Sequence, residues 1–280
     1  MSQALNLFDD MPEIPEPKRG SVVLSHYTDL AGLLSIIENG ELWASNILFL
    51  NDRREMDYGL EAAKDVLKEV LQRVESEKIR SSAVTSLLSD IPDVYACCFC
   101  EEPDMLSQWR GYGGNKQNVS VQFSQVGLIN LAIANGSFLT GVIYGKQKAM
   151  ELIRNRLQRD EQNLPSGLER FRENINEDRR QAIYDTAPQI KDPSFQEERE
   201  WRIIAGGNAQ RKVFYRPRDN VLMPFLKLRA MDGQILPIRR VTVGPGKESA
   251  LTRKSVEHYL RQKNGYENIE VAVSEIPFRT

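Results

Sequence analysis

Apolar residues recur along this chain with two different periods, and the switching between them predicts an α+β fold. The stretch "SVVLSHY", residues 21–27, is a short apolar strand. From Thr28 the period lengthens: Leu30, Leu33, Leu34 and Ile37 fall on one helical face. Thr28 is the expected N-cap, Asp29 favours the first turn, and Gly40 is placed to end the helix. "ELWASNILFL" (41–50) reads as a second strand, and the apolar positions of residues 55–79 predict a long helix. "VYACCFC" (94–100) is a strand with Tyr95, Cys97 and Phe99 on one face and Ala96, Cys98 and Cys100 on the other. "SQWRGYGGNKQNVSVQF" (107–123) predicts a glycine-bearing turn leading into a strand, and "SFLTGVIYG" (137–145) predicts another. Further strands are expected at 198–206, 221–228, 235–244 and 268–279, with a helix at 248–262.

Without regular βαβ alternation, the sheet should be mainly antiparallel. Pro12, Pro15 and Pro17 mark residues 1–20 as a flexible lead. Residues 21–280 then form one domain, with a charged helical insertion at about 146–190.

Charge and composition narrow the function. Across 280 residues, 37 Lys+Arg face 39 Asp+Glu, a net charge of −2, which excludes coating nucleic acid by bulk charge. A local patch stays open: "NAQRKVFYRPRDN" (208–220) is either a phosphate-binding surface or a solvated one. No apolar run approaches the ~20 residues of a membrane span, and the start lacks a secretory signal, so a cytoplasmic protein with no membrane partner is expected. Cys97, Cys98 and Cys100 have no second Cys/His cluster to complete a zinc site and read as small buried hydrophobes; no metal is expected. "VTVGPGKESALT" fails as a nucleotide P-loop, because Val241 replaces the first glycine and Glu248 the magnesium-binding hydroxyl residue. His258 sits in an amphipathic helix, at the surface or partly buried.

Three places carry candidate chemistry. His26 precedes a helix whose free N–H groups suit a phosphate or a sugar hydroxyl; a structural histidine at a strand end is the alternative. In "FQEEREWRII" (195–204), Glu198 and Glu200 on one strand face suit acid/base or cation-stabilising work. The same acids suit a solvated edge, with Arg202 neutralising them. In "EEPDMLSQWRGYGGN" (101–115), Trp109, Arg110 and Tyr112 offer stacking surfaces and a bidentate anion donor, or simply a packed corner.

Taken together, "HYT…LLSIIENGELWASNILFLND", "CCFCEEPDMLSQWRGYG", "EEREWR", "VGPG" and "SEIPFR" resemble a bacterial family of unknown function, over about Leu24 to Arg279. A strand with His-Tyr-Thr, a helix ending at a glycine and a late Glu-x-Glu also look like ADP-ribosyltransferases, which split NAD and pass on ADP-ribose. That resemblance implies two facing, mainly antiparallel sheets with NAD as substrate between them, and no metal. It implies that His26 holds a ribose hydroxyl and that Tyr27 and Thr28 present backbone to the nicotinamide amide. Glu200 would stabilise the ribosyl cation, with Glu198 orienting the acceptor. Trp43, Ser45, Tyr58, Arg110 and Tyr112 would complete the NAD site, with Tyr58 or Tyr112 as the stacking ring. A toxin or phage-defence effector acting on nucleic acid or protein, with a neutralising antitoxin as partner, is the implied context. A non-catalytic module that senses a nucleotide or NAD derivative is the alternative, and a nucleic-acid hydrolase using Asp52, Glu55 and the paired Glu198 and Glu200 as metal ligands ranks below both.

Overall fold

A computed structural model describes residues 22–50, 54–70, 81, 84–85, 88, 93–113, 117–162, 183–206, 211–218 and 220–277. The expected N-terminal lead, Asp52, and parts of the expected helices at 55–79 and 146–190 lie outside these residues.

The chain opens with β1 (Val23–Asp29), α1 (Leu30–Asn39) and β2 (Glu41–Asn46). Asp29, not Thr28, caps α1: its Oδ1 accepts from the Gly32 amide at 2.7 Å. β1 therefore runs two residues further than the apolar pattern indicated, because Thr28 and Asp29 still pair with Val119 and Asn118. Gly40 ends α1 in the left-handed conformation at φ 59°, as its position foretold. β2 stops at Asn46, whose side-chain oxygen accepts from the Leu48 amide and turns residues 47–49 into a 3-10 helix.

Next come α2 (Arg54–Val70), β3 (Val94–Cys100), α3 (Leu106–Gly113), β4 (Asn118–Ser124), α4 (Gln125–Ala134), β5 (Phe138–Gly141), β6 (Ile143–Tyr144) and α5 (Lys146–Gln162). The expected glycine turn at 107–115 is instead largely helix, since Gly111 and Gly113 are tolerated inside α3. The final part holds β7 (Ile190–Lys191), β8 (Glu200–Gly206), β9 (Phe214–Arg218), β10 (Val221–Arg229), β11 (Ile238–Val243), α6 (Ser249–Arg261) and β12 (Glu270–Val273).

The fold is mixed α+β. Its main sheet has ten strands, antiparallel throughout except where β12 joins β11 in parallel after the α6 crossover; β6 and β7 form a separate parallel pair. The order is β12-β11-β4-β1-β3-β2-β10-β9, with β8 and then β5 added on the other edge of β3. Two facing sheets were expected; the strands instead form one branched sheet. The branch is at β3. Its β8 edge is paired along the whole strand, from Val94↔Gly206 to Cys100↔Glu200. Its other edge is shared: β1 holds it only at Ser25↔Cys100, and β2 only at Ser45↔Ala96 and Asn46↔Tyr95. Between these two holds β1 and β2 part, and the sheet opens into a seam.

Register assigns the faces. Phe99, Trp201, Val121 and Leu226 belong to the main core, closed by Leu33, Ile36 and Ile37 of α1, Leu128 and Leu131 of α4, and Val256 and Leu260 of α6. A second core on the opposite face joins Val94 and Ile204 to α2 and α5 through Met56, Ala63, Val66, Ala149 and Ile153. A small third cluster packs Tyr27, Cys100 and Trp109 together. α2 also rests directly on the chain at Ala187: a Cβ added at Gly59 would stand 2.5 Å from the Ala187 carbonyl oxygen. Gly59→Ala is therefore expected to destabilise the fold by about 1–3 kcal/mol, measured as a lowered midpoint in urea unfolding; an unchanged midpoint contradicts this packing.

Candidate functional site

The seam is built around one carbonyl. Where β1 leaves β3, the Cys98 oxygen takes a hydrogen bond from His26 Nδ1 at 2.9 Å, so the imidazole stands in for the strand that is missing there. A carbonyl only accepts, so Nδ1 carries the proton. Burial pushes the imidazole pKa down; the Cys98 bond opposes this, and the Arg216 charge lowers it further. His26 is thus neutral at pH 7, and its Nε2 is a hydrogen-bond acceptor. The ring also lies 5.7 Å from Phe99.

On the other side of the seam, β2 directs Trp43 and Ser45 to the same face as Phe225 of β10 and Phe214 and Arg216 of β9. The Trp43 and Phe225 rings are 4.5 Å apart, and Trp43 is oriented by Nε1, which donates to Glu41 Oε1 at 2.9 Å. Arg216 lies across both rings, 5.1 Å from Trp43 and 5.8 Å from Phe225, and its Nη2 donates to Ser45 Oγ at 2.9 Å. Among the described residues no carboxylate pairs with Arg216, and its Nε is buried without a hydrogen-bond partner. Desolvation and repulsion by Arg218 both lower its pKa. Cations drawn out of water are normally paired, so this half-buried one is conspicuous.

Glu200 is the opposite case. Ser25, Cys100 and Glu200 are in register, so they share a face, while His26 alternates to the other face with Phe99 and Trp201. The two side chains implied as the catalytic pair thus leave the sheet in opposite directions. Glu200 is 5% exposed. Its Oε1 accepts from Arg202 Nε at 2.6 Å, and its Oε2 from Arg202 Nη2 at 3.0 Å and Lys191 Nζ at 2.8 Å. Burial alone would raise its pKa, but Arg202 and Lys191 outweigh it and hold the carboxyl at about 2. Glu198 is not on the strand. Asp192 caps a 3-10 helix at Pro193–Glu198, and Arg199 at φ 42° turns the chain into β8. Glu198 still reaches Lys191 Nζ at 2.7 Å. The shared strand face expected for the two acids is replaced by a shared lysine.

The remaining candidates scatter. Tyr27 is buried, with its hydroxyl donating to the Glu102 carbonyl and accepting from the Met105 amide, and its ring edge-on to Trp109. Thr28 pairs with Val119 in the β1–β4 ladder. Tyr58 packs against the second core. Arg110 is exposed on α3, and the Tyr112 side chain is outside the described residues, as is that of Glu55. His258 is exposed, and among the described residues no group of three or more His, Cys, Asp or Glu could hold a metal ion. The structure therefore brings Trp43 and Ser45 together with Arg216, which sequence reasoning placed only in a basic stretch. His26, which register sets on the other face, stands across the seam and feels the Arg216 charge. The alternation of Phe214, Arg216 and Arg218 in "FYRPR" was the available signal.

A family profile described as a protein of unknown function (DUF2971) matches residues 108–203, about a third of the chain. The matched span runs from α3, with Trp109 and Arg110, through the Glu200–Trp201–Arg202 segment of β8. No curated protein matches the chain, and no solved structure does. No helix among the described residues is long and apolar enough to cross a membrane.

The Glu200 cluster has a direct consequence for acid stability. A carboxyl held at about 2 when folded, against an ordinary value near 4.5, contributes stability that is complete above the ordinary value. That contribution is lost as pH falls from roughly 4.5 towards 2. Glu200→Gln leaves Arg202 and Lys191 without their shared acid, so a loss of about 3–5 kcal/mol at pH 7 is expected, with a flatter stability profile below pH ~4.5. Equal acid profiles for wild type and variant contradict the assignment.

Proposed function

We propose that the chain is a nucleotide-binding module that takes an anionic, ribose-bearing ligand of the NAD-derivative class in the seam between β1 and β2. The observation that carries this reading is Arg216: a largely desolvated guanidinium, laid across two aromatic rings and given no acidic partner among the described residues. An anion supplies the missing charge, the aromatic wall suits a flat ring, and across the seam the neutral His26, which feels the Arg216 charge, offers Nε2 as acceptor to a sugar hydroxyl.

NAD cleavage is the stronger claim, and it finds less support. A ribosyl cation needs an accessible carboxylate. Both oxygens of Glu200 are already engaged by Arg202 and Lys191, which leaves no free carboxylate oxygen for a ribosyl cation. The reading is accordingly binding without turnover.

Calorimetry with ADP-ribose and NAD tests it, alongside chromatographic assay of nicotinamide. Wild type is expected to bind at least one of the two and to release no nicotinamide. Arg216→Met keeps an apolar stem over the rings and removes the charge, so binding should fall by about 10–100-fold, the equivalent of one charge-assisted contact. The unliganded fold should be no less stable than wild type, because an unpaired cation has been removed. Unchanged binding in Arg216→Met overturns the site. Nicotinamide release by wild type overturns the non-catalytic reading in favour of the transferase.

A further inference from the structure

Arg216 is one end of a longer surface. β9, β10 and β2 are antiparallel neighbours, and β9 ends the strand order of the sheet. Their register places Phe214, Arg216 and Arg218 of β9, Phe225, Lys227 and Arg229 of β10, and Glu41, Trp43 and Ser45 of β2 on one face. Three rings run across this face in a row, with Phe214 5.8 Å from Phe225 and Phe225 4.5 Å from Trp43. Cations flank the row at both ends. Lys212 and Lys227 stand 5.1 and 4.7 Å from the Phe214 ring, and Arg216 covers Trp43 and Phe225.

The charge is lopsided. Residues 211–229 hold six Lys/Arg and one acid, Asp219, within a chain whose net charge is −2. Glu41 is the acid that register brings to this face, and it is almost fully buried, engaged by Trp43, Lys227 and Arg229. Lys212 is exposed, and Phe214 is half-buried.

We propose that this face binds single-stranded nucleic acid, with phosphates on Lys212 and Arg216 and unstacked bases against the Phe214–Phe225–Trp43 row. Rings alone would suit any apolar partner, and cations alone any acidic one; the two interleaved on a sheet face are the combination that a strand with exposed bases satisfies. A lysine ammonium resting on a ring sits on a flexible stem and can exchange the ring face for a phosphate. A duplex keeps its bases stacked inside and gains nothing from the rings. The proposal shares Arg216 with the seam and rests on the nucleotide reading to that extent, while Lys212 and Phe214 belong to this surface alone.

Fluorescence anisotropy with a labelled oligonucleotide of about 15 residues tests it on the full chain. The strand is expected to bind more tightly than a duplex of equal length. Its log affinity should fall with log salt at about −0.7 per phosphate engaged. Lys212→Glu is expected to weaken binding about tenfold for every sequence and to make the salt slope shallower by about one phosphate. Phe214→Ala should cost about tenfold with the slope unchanged. Calorimetry on Lys212→Glu should give the wild-type ADP-ribose affinity, which also shows that the variant is folded. Equal affinity for the duplex, or for polyglutamate of the same length, overturns the proposal, as does indifference to both substitutions. Oligonucleotide binding with no ADP-ribose binding in wild type defeats the seam reading and leaves this one standing; the reverse pattern does the opposite.

Discussion

Each carbonyl along one edge of a strand can be paired by one neighbouring strand, and on β3 two strands compete for the same edge. β1 pairs at Cys100 and β2 at Tyr95 and Ala96, so the positions between them belong to neither. A carbonyl left there in the interior would carry a heavy desolvation cost. His26 removes that cost by donating from Nδ1 to the Cys98 oxygen. The branching of the sheet, the opening between β1 and β2 and the neutral state of the imidazole all follow from this shared edge. α1 makes the sharing possible: it carries the chain from the end of β1 to the start of β2 and fills the space beneath with Leu33, Ile36 and Ile37.

Two arginines, one buried and one half-buried, show how differently the protein treats charge on either side of β3. Arg202 is 1% exposed and is matched by Glu200, with Lys191 and Glu198 completing a cluster of two acids and two bases. Such a cluster is self-sufficient: removing one member exposes the others to desolvation, but nothing further is needed to satisfy it. Arg216 has rings and a serine hydroxyl for company, which stabilise a cation without neutralising it. A fold that leaves one guanidinium uncompensated gives up stability there, and such local inconsistencies concentrate where a ligand supplies what is missing. The contrast favours the seam over the Glu200 cluster as the functional region.

Much of the architecture was legible because it depends on local pattern. The glycine stop at Gly40 and the alternation of Tyr95, Cys97 and Phe99 survive in the structure. So does most of the expected helical face: Leu33 and Ile37 are buried and Leu30 is half-buried against the core, but Leu34 is exposed and Ile36 is buried in its place. What failed was decided by side-chain competition for backbone groups. Asp29 took the cap position expected of Thr28 by accepting from the Gly32 amide, and Asp192 capped a 3-10 helix over 193–198 that drew Glu198 out of its expected strand. The gathering of the site was legible only in part. Trp43 and Ser45 could be singled out from sequence, but Arg216 reaches them through the β2–β10–β9 register, a pairing across some 170 positions that no local pattern encodes. The match to a family of unknown function over residues 108–203 includes the Glu200 segment but neither His26 nor Arg216.

The claim that an anion completes Arg216 is tested most directly by a crystal structure of the protein with ADP-ribose. The account predicts a phosphate oxygen within hydrogen-bonding distance of the Arg216 guanidinium and a ribose hydroxyl donating to His26 Nε2. A carboxylate of the protein itself paired with Arg216, or the ligand bound beside Glu200 with Arg202 and Lys191 displaced, would contradict it.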